Sequence, residues 1–199
     1  MAIQKKDDLA RHKVFRNKIM TIKKTNLLKT AGANFSECER YRYLLWRCWD
    51  ESLPGCTFIM LNPSTADESA SDPTITRCIE FAKLWGFGKI YVVNLFAWRS
   101  TDPGAMMVAE DPIGPENDFW ITHACLNAPH IVCAWGNHGG HRNRSLEIMK
   151  FIELRKKVEQ SMPYLTKPSP MRAYALKVNK TGQPAHPLYQ PYSKELIAL

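Results

Sequence analysis

Cys56-Thr57-Phe58-Ile59-Met60-Leu61 is a short, continuous, largely apolar run closed by Asn62-Pro63. An unbroken run of this length fits a strand covered on both faces, because a strand with one wet face alternates polar and apolar residues. Covering both faces requires helices that cross between parallel strands.

The rest of the chain supplies those units. Asp72 is placed to cap a helix that has Pro73 in its first turn and Ile75, Cys78, Ile79 and Ala82 along one face, and Gly86 and Gly88 stop it. Lys89 to Leu95 reads as a second buried strand, Glu116 to Leu126 as a second helix, and Ile131 to Trp135 as a third strand broken by Gly136. Asn143 to Lys157 suits a third helix and Ala173 to Val178 a fourth strand. Ala31 to Asn34 reads as a loop, the aromatic segment Tyr41 to Trp49 with the turn Leu53-Pro54-Gly55 after it as a hairpin, and the proline- and glycine-bearing stretch Thr101 to Pro115 as loop. The expected fold is α/β: three layers, α/β/α, around a central, mainly parallel four-stranded sheet with an antiparallel edge strand.

Charge divides the chain in two. The first thirty residues hold nine Lys and Arg, including Lys5, Lys6, Arg11, Lys13 and Arg16, against Asp7 and Asp8, a net of +7. The remaining 18 basic and 17 acidic residues leave +1 of the total +8. Residues 1–32 are therefore expected to form a basic arm, helical or flexible, and 33–199 a single domain. Such an arm can contact phosphates or serve as a solvated tail. No apolar run approaches the ~18 residues needed to span a membrane, so a soluble, cytoplasmic protein without membrane partners is expected. The six cysteines lack CxxC pairing and read as reduced, packed thiols.

Each strand is followed at its carboxyl end by polar or glycine-rich sequence, the place where open α/β sheets bind ligands. Asn62 offers a donor and an acceptor for holding a water or reading a base edge, and equally suits a turn before proline. Ser64, Thr65 and Asp67 lead to Asp72, where hydroxyls and backbone N–H groups can hold a phosphate or make local turn bonds. Asn94 interrupts an apolar strand in which an unpaired amide costs about 1–3 kcal/mol, so it needs a partner, from the backbone or from a ligand. Arg77 and Arg99 can bind phosphate or carboxylate, or pair with Asp67, Asp72 or Asp102. Trp135 and Gly136 close the third strand, and His186 is fixed before Pro187 just past the last. His138 and His141 flank Gly139-Gly140 without a third ligand, so no metal is expected. With no GxSxG, GxxxxGK[ST] or strand-borne GxGxxG motif, no cofactor is expected either.

Together these residues resemble a family of bacteria and phages known as domain of unknown function 1643. The resemblance lies in Tyr43-Leu44-Leu45-Trp46-Arg47, Leu61 to Asp67, Asp72-Pro73-Thr74 with Arg77, Asn94-Leu95-Phe96-Ala97 with Arg99, Asn117-Asp118, Ala134-Trp135-Gly136 and His186-Pro187-Leu188-Tyr189. A more distant resemblance is to uracil-DNA-glycosylase-like proteins. It lies in the order of Asn62-Pro63, Asn94, Trp135-Gly136 and His186-Pro187. That resemblance implies a glycosylase-like fold and cleavage of an N-glycosidic bond in a nucleobase derivative, nucleotide or DNA. Asn62 would position the water, with Asp67 or Asp72 as the nearby carboxylate, Asn94 would read the base, and His186 would stabilise its departure. The alternative is a non-catalytic protein that binds a nucleotide or modified base in a phage or anti-phage pathway. The chain departs from the glycosylase pattern in having no glycine just before Asn62-Pro63 and in placing Leu188-Tyr189 after His-Pro.

Overall fold

The computed structural model describes residues 30–64, 72–161, 170–193 and 195–199. The described part is a mixed seven-stranded sheet with helices packed on it. Strands β1 (Ala31–Phe35), β2 (Arg42–Cys48), β3 (Gly55–Met60), β4 (Lys89–Asn94), β5 (His130–Cys133), β6 (Arg172–Ala175) and β7 (Ile197–Ala198) lie in the order β1-β2-β4-β3-β5-β6-β7. Four of them, β4-β3-β5-β6, are parallel and form the centre. The other three pair antiparallel, β1 and β2 on one side and β7 on the other.

The sheet is thus larger than four strands and one edge. Ala31 to Asn34 is not a loop but most of β1. No hairpin forms at the turn Leu53-Pro54-Gly55: Tyr41 to Trp49 supplies β2, which pairs with β1, Ala33 opposite Leu45, and with β4 rather than with β3. Gly32 lies within β1. It is needed because the Trp46 ring lies across it, and a Cβ there would fall 2.3 Å from that ring.

The helices are α1 (Pro73–Leu84), α2 (Pro103–Met107), α3 (Asn117–Asn127) and α4 (Arg144–Ser161). Helix α1 starts as its sequence dictates: Asp72 Oδ1 accepts the Thr74 N–H at 2.7 Å and Pro73 occupies the first turn. The short α2, capped by Asp102, falls inside a stretch expected to be loop. Ile75, Cys78, Phe81 and Ala82 of α1 pack on Cys56, Phe58, Met60, Ile90, Val92 and Val132. Each fully buried large side chain here contributes about 1.5–3 kcal/mol. Thr57, which by strand alternation faces away from Phe58, donates its hydroxyl to Ala124 O of α3 and to Ala128 O just past its end. Helices α1 and α3 therefore sit on opposite faces. Right-handed crossovers require this, because the chain steps from β3 to β4 in one direction and from β4 to β5 in the other.

Cys56, Cys78, Cys125 and Cys133 are buried in this core, as packed thiols should be, and burial pushes Cys125 up to about 12. Cys38 is the exception: it is exposed in the β1–β2 turn, and hydrogen bonds from Ser36 and Arg40 bring its pKa down to about 7. Among the described residues no helix is long and apolar enough to cross a membrane.

Candidate functional site

The chain leaving β3 turns to α1 on one face, and the chain leaving the adjacent β5 runs through a 3-10 segment, Asn137–Asn143, into α4. Neighbouring strands whose exits lead apart leave a crevice between their carboxyl ends. Asn62 and Gly136 stand at its two sides.

Asn62 Nδ2 donates to Ser100 O at 2.7 Å and to Pro63 O at 3.3 Å, which ties the exit of β3 to the segment beyond β4. Its carbonyl oxygen is the remaining hydrogen-bonding group. Asn94, the last residue of β4, lies opposite Met60 and is 3% exposed. The partner expected for its side-chain amide is not found among the described residues. Its backbone carbonyl is what the protein grips: Asn117 Nδ2 donates to Asn94 O at 3.0 Å and to Leu95 O at 2.9 Å. Arg144 Nε adds a bond to Leu95 O at 3.0 Å, and its guanidinium pairs with Asp118 and Glu147.

Asp72 organises the side of the crevice near α1. Besides capping the helix it accepts the Ser64 hydroxyl at 3.1 Å, and its charge acts on both Arg42 and His186. Arg42 was not among the residues singled out from sequence. It stands at the start of β2, 4% exposed, with its N–H on Ala97 O just past the end of β4. Burial lowers its pKa to about 10, with Asp72 opposing the fall and Arg99 and Arg47 adding to it, so it is a cation at neutral pH. The available signal was an arginine inside the apolar run Tyr41 to Trp46, where an isolated charge is costly.

His186 caps a 3-10 turn, Pro187–Tyr189, its Nδ1 accepting the Leu188 N–H at 3.3 Å. An Nδ1 that accepts leaves the neutral ring's proton on Nε2. Burial lowers the pKa of this imidazole, partly opposed by Asp72, which favours the neutral form. Gly136 holds the loop against β5: its N–H donates to Pro184 O at 2.8 Å and a Cβ on it would come 3.9 Å from His186 Cβ. Its φ of +71° is one that only glycine adopts cheaply.

The remaining residues lie elsewhere. Trp135 turns away from its neighbour Gly136: its Nε1 donates to Gln183 Oε1 at 2.7 Å and its ring covers Gly139. Arg77 donates to Gln190 O and stacks 3.7 Å over the Tyr192 ring. Arg99 donates to Glu39 O at 2.8 Å and lies over Phe35. Thr65, Asp67, Lys5, Lys6, Arg11, Lys13 and Arg16 fall outside the described residues. Among the described residues no three His, Cys, Asp or Glu side chains group as metal ligands.

A pH dependence follows from two histidines. His186 and His130, whose buried Nε2 has no partner among the described residues, both have pKa values lowered chiefly by burial. The unfolded chain then binds protons near the ordinary histidine pKa of about 6.5 that the folded chain refuses. Stability is full above that value and is lost as pH falls below it. Urea midpoints are expected to drop between pH 7.5 and 5.5, and to drop less in His130→Phe, which keeps the ring stack on Tyr174 without the titrating group. Equal drops in parent and variant would rule His130 out as a source.

Fold and site together define an α/β protein whose polar candidate-site residues gather at the carboxyl ends of its parallel strands. The chain belongs to the family described as protein of unknown function DUF1643, whose model matches residues 42–188, from Arg42 to the residue after His186-Pro187. No curated protein and no solved structure matches it.

Proposed function

We propose that this chain is a glycosylase-like protein that takes a nucleobase or nucleotide, free or within DNA, into the crevice between β3 and β5 and cleaves its N-glycosidic bond. The observation that carries this reading is the pinning of His186. A neutral imidazole with Nδ1 occupied presents Nε2–H as a fixed donor, suited to the negative charge that develops on a departing base. The Asn94 amide, nearly buried at the adjacent strand end, suits the hydrogen-bonding edge of a base, and desolvation there strengthens the discrimination. Helix α1 on one sheet face and α3 on the other fit a three-layer arrangement of the glycosylase kind. The basic arm would hold the phosphates of a DNA substrate.

The bonds of Asn62 support a second reading. With both N–H groups spent on backbone carbonyls, and with no basicity of its own, it orients a water through its carbonyl oxygen without taking the proton. A general base is worth ~10²–10⁴-fold, so turnover is slow unless Asp67 or Asp72 supplies it. A binding protein for a nucleotide or modified base uses the same crevice with no such need. The experiment that separates them incubates the purified protein with uracil-containing, mismatched and hypermodified DNA, single- and double-stranded, and scores abasic sites. Abasic sites are the expected result. Nucleotide binding without any release of base would make the protein a binder, and neither activity would dismiss both readings.

A further inference from the structure

Beside the crevice, on the outer side of the first turns of α1, an open concavity of about 780 Å³ is lined by Pro73, Thr76, Arg77, Tyr189, Gln190 and Tyr192, among others. We infer that this concavity is a stacking site for a base of a nucleic-acid single strand whose neighbouring nucleotide occupies the crevice; the inference rests on the reading proposed above and names its substrate class.

Tyr189 is 83% exposed and Tyr192 51% exposed, large aromatic surfaces that a folded chain ordinarily covers. Tyr189 ends the 3-10 turn whose cap is His186, so the exposed ring and the crevice imidazole ride on one turn, with about 6 Å of rise between them. Tyr192 is held by the Arg77 guanidinium, which lies 3.7 Å over its ring, reaches the Phe81 ring on its other contact and donates to Gln190 O. With the Tyr192 ring held in place, little of its conformational entropy remains to be lost on binding. The chemistry of the lining selects the occupant. Aromatic faces accept any base by stacking, and an arginine spread over one of them enhances the attraction for π-faces near phosphates. The concavity is open rather than enclosed, which suits a strand passing through better than a free small molecule, and Arg77 brings a positive charge to its lining.

The test measures binding of a fluorescent single-stranded oligonucleotide and, separately, of a nucleoside monophosphate. Tyr189→Ala is expected to weaken oligonucleotide binding between about fivefold and about a hundredfold, the range for one lost base–aromatic stack. Tyr189→Phe should restore it, and mononucleotide binding should be unchanged in both. Oligonucleotide binding that is undetectable in the parent, or equal in parent and Tyr189→Ala, overturns the inference. So does a loss of self-association in Tyr189→Ala by sedimentation, which would make the surface a contact between copies. Asn94→Ala separates the two failures: if it weakens mononucleotide binding while Tyr189→Ala changes nothing, the crevice reading stands and the stacking site falls.

Discussion

Replacing Asn117 by alanine is expected to lower the unfolding free energy by about 2–4 kcal/mol, although the residue touches no ligand. Its side chain is fully buried and its two N–H groups go to Asn94 O and Leu95 O. Leu95 O keeps the bond from Arg144, so the loss falls mainly on Asn94 O and on the cavity left behind. One term works the other way: Asn117 Oδ1 is buried with no partner among the described residues, and alanine removes that penalty. Asn117→Asp should therefore be the more damaging change, since it keeps the orphaned oxygen, turns the donor into a second acceptor facing two carbonyls, and buries a charge. Urea midpoints in the order parent, alanine, aspartate check the account. Aspartate as stable as alanine would show that the two bonds contribute little. Because the gripped carbonyl belongs to Asn94, both variants should also loosen base recognition.

The parallel centre of the sheet was legible because each of its strands is an apolar run punctuated by polar or glycine residues, and α1 because Asp72 and Pro73 mark its start. The antiparallel additions were not. β1 carries Gly32 for the sake of the Trp46 ring, and β7 is two exposed residues, too short for any alternation to show. Of the site, positions at strand ends could be read, but directions could not. Trp135 and Gly136 are consecutive, yet only Gly136 borders His186, while the Trp135 ring turns to Gly139 and Gln183. Arg77 follows the cap of α1 by five residues and is drawn to Tyr192, a partner 115 positions away that no local pattern indicates. Arg42 escaped notice for the opposite reason: it sits in an apolar strand, and what makes it stand out, its burial beside Asp72, exists only in the fold.

His186→Ala is expected to reduce turnover about 10²–10³-fold, the loss found when one preorganised donor to a developing anion is removed. Substrate affinity should change little, because a donor aimed at the departing base acts mainly once charge has built up there. Asn94→Ala should behave in reverse, weakening the binding of base or nucleotide more than it slows the bound complex. The pH profile adds a reading that a purely structural role for His186 would not give. Burial lowers its pKa, so the neutral imidazole is the majority form above its ordinary value of about 6.5 and persists for some distance below it. Activity carried by neutral Nε2–H should stay level as pH falls through 6.5 and decline only further down. A rate that climbs on acidification through 6.5 would identify the imidazolium as the donor and defeat the neutral-donor mechanism. A histidine variant that releases base as fast as the parent would remove His186 from the chemistry altogether, leaving its bond to the Leu188 N–H as a turn cap and nothing more.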